Sequence, residues 1–167
     1  MKKIPIGNIE ITEPRQIVYD ILKYKNSGKV LDLSAGYGNH SLFLTYKGFE
    51  VTAVEAEEKA LKYLEGQANK LGVKISTIRQ DIKKFESKRK YDVVIATMVL
   101  HFLSEKDTED MMKKIRDWTA VGGINVICAY TNQNIANLRS YLFKVNELKE
   151  YYSDWEILEY DESLGAP

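Results

Sequence analysis

The chain has 167 residues, 44% of them hydrophobic, a length at which one domain can bury roughly 70% of its unfolded surface. Its 24 Lys and Arg balance 24 Asp and Glu, so no global field draws in nucleic acid or an anionic membrane, and neither is an expected partner. No stretch approaches the roughly 18 apolar residues of a membrane span, the start leads into no signal-peptide core, and the single Cys128 cannot form an internal disulfide. These features predict one soluble, cytoplasmic domain over 1–167, monomeric or homodimeric, with Cys128 an inert core thiol.

Thr12-Glu13-Pro14 reads as the start of a helix whose apolar face is Ile17, Val18, Ile21 and Leu22. A strand over 29–33 follows, then a helix over 39–46 stopping near Gly48, and a strand over 50–54. Ala60, Leu61, Leu64, Ala68 and Leu71 have helical spacing up to Gly72, and 73–78 reads as a third strand. The charged segment 83–90 reads as a solvated loop with only Phe85 turned inward. The near-continuous apolar run 91–96 predicts a strand covered on both faces.

Acids at Glu105, Asp107, Glu109 and Asp110, with Lys113, Lys114 and Arg116 later, have the charge order of a helix dipole. Gly122-Gly123 then precedes a strand over 124–129, and a short helix over 147–152 leads to a strand over 155–160. Strands alternating with amphipathic helices predict an α/β fold: a doubly wound, mostly parallel sheet with helices on both faces. Its ligand crevice belongs beyond the strand ends at the point where strand order reverses, which is the turn after Leu33.

That turn carries the chemistry. The run Val30-Leu31-Asp32-Leu33-Ser34-Ala35-Gly36-Tyr37-Gly38-Asn39 delivers an acid into a loop where two glycines let backbone N–H groups approach a ligand. Glu55 ends the next strand, where a ribose diol is usually gripped. The pattern is neither G-x-G-x-x-G nor G-x-x-x-x-G-K-[ST], which favours a cofactor with a ribose and no pyrophosphate. No Ser/His/Asp, Cys/His or metal-ligand constellation accompanies it.

Leu31-Asp32-Leu33-x-x-Gly36-x-Gly38-Asn39 with Ser41-Leu42-x-Leu44, then Gly48-Phe49-x-Val51-x-Ala53-Val54-Glu55, resembles the first two motifs of class I S-adenosylmethionine-dependent methyltransferases. Tyr91-Asp92-Val93-Val94-Ile95, Thr97-x-Val99-Leu100-x-Phe102-Leu103, Gly122-Gly123 and Phe143-Lys144-x-x-Glu147-Leu148-x-x-Tyr151-Tyr152 with Trp155-Glu156 resemble the tellurite-resistance methyltransferase branch. The resemblance implies a Rossmann-like methyltransferase fold, S-adenosyl-L-methionine as cofactor and a small-molecule acceptor, a tellurite- or selenite-type oxyanion or another soft nucleophile.

It assigns Asp32 and Gly36 to the methionine part of the donor, Glu55 to the ribose hydroxyls, and Asp81 with the Ile82 N–H to the adenine edge. Ser34, Ala35, Gly38, Ala56 and Thr97 complete the donor-binding set, with Thr97 and Met98 under the transferring methyl. Ser34 and Ala35 stand where the family usually has Gly and Cys.

Catalytic residues stay open, with His101 and the Tyr130 hydroxyl as candidates for any base. His40 reads as packing or capping, Tyr37 as lying over the donor or exposed, and Tyr141, Tyr151 and Tyr152 as packing rather than a cation cage. Arg139 and Lys144 are the basic groups available to an oxyanion.

The family sheet runs 3-2-1-4-5-7-6, whereas this chain ends soon after its sixth predicted strand. Six strands, a strand from another subunit, or a longer natural protein are the alternatives. A nicotinamide oxidoreductase would want a third glycine near Ser41. A non-catalytic donor-binding module or heteromer subunit is the other alternative function.

Overall fold

The alternation of short β-branched runs with amphipathic stretches resolves into a layered α/β domain in the computed structural model, which describes residues 2–133 and 141–162. A hairpin of β1 (Lys3–Ile6) and β2 (Ile9–Thr12) precedes α1 (Gln16–Tyr24). Then come β3 (Lys29–Leu33), α2 (Asn39–Tyr46), β4 (Glu50–Glu55), α3 (Glu58–Leu71) and β5 (Ser76–Arg79). The remainder is β6 (Tyr91–Thr97), α4 (Glu105–Trp118), β7 (Thr119–Cys128) and α5 (Glu147–Tyr151). The sheet runs β5-β4-β3-β6-β7, parallel throughout, so strand order reverses at β3 as the sequence predicts. No described helix is long and apolar enough to cross a membrane.

Residue alternation along β3 decides which side chain meets which layer. Val30 joins Leu42, Leu44, Leu64 and the hairpin's Ile6, Ile9 and Ile11 in one core. Leu31 and Leu33 face the other core, with Met111, Met112, Ile115 and Trp118 of α4. Asp32 shares the face of Val30 and so points toward α2. Leu42, Phe43 and Leu44 are all buried, because α2 is enclosed between the sheet, α3 and the hairpin.

Four predicted elements are corrected. Thr12 ends β2 instead of capping a helix, and α1 is capped at Arg15 without a side-chain hydrogen bond. The period-two pattern Ile4, Ile6, Ile9, Ile11 around Gly7, whose φ is +54°, is the signal for this hairpin. The third parallel strand is only Ser76–Arg79.

Gly122 and Gly123 lie inside β7 rather than before it. Tyr91 pairs with Thr119 and Val93 with Ile124, so the strand bulges there, with Gly122 at φ +71°. Residues 155–160 form no strand; Trp155 lies against Arg116, and Glu159 bonds Lys23 and Tyr24. Among the described residues the parallel sheet therefore has five strands. The charged segment after β5 opens with a 3-10 turn, Ile82–Lys84, and within 83–90 Phe85 alone is buried, as predicted.

Candidate functional site

The chain leaves β3 through backbone that only a few residue types tolerate. Ser34 has φ +59°, Gly36 +55° and Gly38 +78°. Ala35 N–H donates to Val54 O at 3.0 Å, and Gly38 N–H to Ala35 O at 2.9 Å, which folds the loop back over the β3–β4 pair. A Cβ on Gly38 would stand 2.3 Å from Leu64 Cδ1, whereas one on Gly36 would meet nothing within 4 Å. Gly38 is thus required by packing, and Gly36 borders open space.

Glu55 closes the loop from the neighbouring strand. Its Oε2 accepts from Gly36 N–H at 2.8 Å and from Ser34 Oγ at 3.5 Å, and its Oε1 accepts from Ala56 and Glu57 N–H at 2.8 and 2.9 Å. Asp32 lies deeper, 1% exposed, where its Oδ2 accepts from Ser41 Oγ at 2.6 Å. Burial pushes Asp32 up to about 6; the Ser41 hydrogen bond opposes the rise and the Glu55 charge adds to it. A cation beside Asp32 would offset that desolvation.

Ser34, Ala56, Gln80, Asp81, Ile82, Lys83, Val99, Phe102 and Leu103 line a cavity of about 280 Å³ beyond the strand ends. It gathers four of the predicted donor residues, Ser34, Ala56, Asp81 and Ile82, from three separate segments. Asp81 Oδ1 accepts from Lys83 N–H at 2.9 Å and so caps the following 3-10 turn. The cavity combines apolar walls from Ile82, Val99, Phe102 and Leu103 with polar edges from Gln80 and Asp81, a lining suited to a flat heteroaromatic ring.

Thr97 stands outside this cavity, its Oγ1 3.3 Å from His40 Nδ1. Burial first, then the Arg15 charge, brings His40 down to about 4, so its ring is neutral at physiological pH. His101 is fully buried between the rings of Phe102 and Tyr130, centroids 4.5 and 4.6 Å away, and its Nδ1 accepts from Tyr130 N–H at 3.4 Å. That placement is packing and leaves it no solvent-facing surface.

Tyr37 is 45% exposed, edge-on to Tyr63. Tyr151 and Tyr152, read as packing, do form an internal cation cage, with Trp155, around Arg116. Cys128 is half-buried, and burial raises its thiol. Lys144 is exposed, and Arg139 lies outside the described residues. The sequence reading gave Ser41 only as part of the first motif and no role toward Asp32; the signal for that role was a small hydroxyl in the first turn of an otherwise buried helix.

A parallel sheet reversing at β3, a glycine loop over that strand and an acid ending the next define the class I methyltransferase fold. The chain belongs to the family described as tellurite resistance protein TehB, whose family model matches residues 7–166. It is 36% identical over 151 residues to a Haemophilus influenzae protein named "Probable S-adenosyl-L-methionine-dependent methyltransferase TehB", covering 89% of this chain and 53% of that one.

The crystal structure of TehB from Haemophilus influenzae superposes with a TM-score of 0.84 at 36% identity, over 92% of this chain and 55% of that one. A DhpI complex with SAH shares the fold at a TM-score of 0.65 and 20% identity, over 83% of this chain and 72% of that one. The chain spans about half the length of the curated TehB relatives it matches.

Proposed function

We propose that this chain is an S-adenosylmethionine-dependent methyltransferase acting on a small-molecule acceptor with a soft nucleophilic atom, of which tellurite and selenite are candidates. The observation that carries the reading is the Glu55 carboxylate, held by the Gly36, Ala56 and Glu57 N–H groups and next to Ser34 and Ala56, which line the 280 Å³ cavity. An ionised carboxylate offers about four acceptor positions and N–H groups at 2.8–2.9 Å fill three of them, so Glu55 would take the ribose O–H groups by giving up the 3.5 Å Ser34 contact and part of that set. The adenine would lie between Ile82, Val99 and Leu103 with Asp81 at its edge. Asp32 would face the ammonium and sulfonium charge, which accounts for an acid kept in a buried position.

When bound, the donor supplies a methyl carbon already activated by positive sulfur. That carbon would accept an acceptor lone pair while the carbon–sulfur electron pair stayed with sulfur as a neutral thioether, with Asp32, Gly36 and Glu55 holding the donor in place. The protein's part is placement, which can contribute roughly 7–11 kcal/mol toward the barrier, and a soft acceptor needs no general base. The TehB relatives named as methyltransferases support the same reading.

The test is calorimetric titration with S-adenosylmethionine and with NAD, followed by turnover of labelled donor against tellurite, selenite, thiols and small amines. Saturable binding of the sulfonium donor and transfer to one acceptor are expected. Binding of NAD alone would refute the proposal, and donor binding with transfer to none of the panel would reduce the chain to a binding module.

A further inference from the structure

Ser41 sits in the first turn of α2, where a serine hydroxyl ordinarily bonds local backbone. Here it donates instead to Asp32 Oδ2 of β3 at 2.6 Å, and Ser41 is fully buried. Its own carbonyl accepts from Thr45 Oγ1 at 2.8 Å, which ties that first turn to the next. The layer around the pair is apolar, built from Val30, Leu42, Leu44 and Leu64. Packing does not ask for an acid and a hydroxyl on this face, since apolar groups of matching shape would cost little there.

The hydrogen bond occupies one carboxylate oxygen and leaves the other. Asp32 takes part in no ion pair among the described residues, and within them its side chain has Ser41 as its one hydrogen-bond partner. Oδ1 therefore keeps its acceptor positions, and the 1% of Asp32 that stays accessible leaves this oxygen unsealed. Across the sheet Asp32 is in register with Ala53 and Ile95, whose side chains offer no hydrogen bond, so the adjacent strands do not orient the carboxylate. One residue later β3 gives way to the loop in which Gly36 borders open space. The rotamer of the acid beside that loop is thus set from α2.

We propose that Ser41 is a positioning residue for donor binding: by holding Oδ2 it fixes the Asp32 carboxylate with Oδ1 turned toward the amino-acid end of the donor. The inference rests on the methyltransferase reading and adds to it the group that sets its buried acid. Without the hydroxyl the carboxylate would be free to turn, and burial would favour its neutral form, which attracts no cation. The Glu55 charge, on β4, pushes Asp32 the same way as burial, and the Ser41 hydrogen bond opposes both.

The test titrates S-adenosylmethionine into the full chain by calorimetry from about pH 5 to 8, for the parent, Ser41→Ala, Ser41→Thr, Asp32→Asn and the double variant Asp32→Asn/Ser41→Ala. Carbon-13 NMR of the Asp32 carboxyl follows its titration without donor. Ser41→Ala is expected to bind about tenfold more weakly at pH 7 and to reach full affinity only at higher pH than the parent, with Ser41→Thr regaining most of the loss. Asp32→Asn is expected to lose both affinity and that pH dependence, and adding Ser41→Ala to it to cost nothing more, because the two side chains act as one unit. Parental affinity and pH profile in Ser41→Ala would overturn the assignment. So would an undiminished further loss when Ser41→Ala is added to Asp32→Asn, which is what a merely structural serine would give. A parent that binds no sulfonium donor would remove the methyltransferase reading itself, and the Asp32 titration in Ser41→Ala would then decide alone whether the hydroxyl governs the carboxylate.

Discussion

Ser41 Oγ donates to Asp32 Oδ2 at 2.6 Å across the interface between α2 and the central strand, with both residues buried. It is the third of three consecutive such contacts. Asn39 accepts from Thr12 of the hairpin, His40 meets Thr97 at the end of β6, and Ser41 holds Asp32 at the end of β3. One helical turn therefore fixes three segments around the crevice, and two of its contacts involve titratable groups with opposite displacements.

Asp32 rises from 3.8 to about 6 through burial, so the native state holds its proton more tightly than the unfolded chain. Stability from this group is full below about pH 4, declines as pH rises to about 6 and is level above that. His40 falls from 6.5 to about 4, so its effect has the opposite sign: stability rises between about pH 4 and 6.5. The two slopes oppose each other in the parent. Asp32→Asn should leave the rising slope, His40→Asn the falling one, and Asp32→Asn should be more stable at pH 7.5 by up to about 3 kcal/mol. Urea unfolding of all three proteins at pH 4.5, 6 and 7.5 checks this, and parallel profiles would sink it.

The two loop glycines should respond differently to the same substitution. Gly38→Ala forces a Cβ against Leu64 as well as a left-handed φ, and should destabilise by about 2–5 kcal/mol. Gly36→Ala carries only the backbone strain of about 1–2 kcal/mol, but its methyl projects into open space beside Glu55. It should remain folded and bind S-adenosylmethionine at least tenfold more weakly, a factor equal to about 1.4 kcal/mol. Thermal melts with donor titration separate the cases; equal donor affinity in Gly36→Ala and the parent would contradict the proposed use of the loop.

How much of this was legible in the sequence depends on how local each signal is. The strand, loop and acid of 29–55 were readable because their geometry is set by adjacent residues: period-two apolar positions, positive-φ glycines, and a carboxylate within reach of the loop N–H groups. The burial of Asp32 was not readable, since it depends on Ser41 packing from another element. Residues 155–160 show the limit most clearly. Trp155-Glu156-Ile157-Leu158 has strand composition, but Trp155 and Glu159 find partners on helices, Arg116 and Lys23, which no periodicity encodes.

Arg116 organises the segment after the sheet. Its guanidinium carbon lies 5.4, 5.6 and 5.0 Å from the ring centroids of Tyr151, Tyr152 and Trp155, its Nη1 donates to Tyr151 O at 3.1 Å, and it pairs with Asp154. Tyr152 Oη in turn donates to Asn125 Oδ1 at 2.9 Å, fastening the wrapped segment to β7. Arg116→Met keeps much of the apolar stem but removes the cation, and the loss should be about 1–3 kcal/mol from the ring contacts and the charged hydrogen bonds. Arg116→Lys should recover only part of this, because an ammonium lacks the planar fork that spans Tyr151 O and Asp154. Hydrogen exchange should quicken over 147–160 in Arg116→Met while β3 and β6 stay protected. Parental exchange over 147–160 would show that the segment is held by other contacts, such as Glu159 with Lys23 and Tyr24.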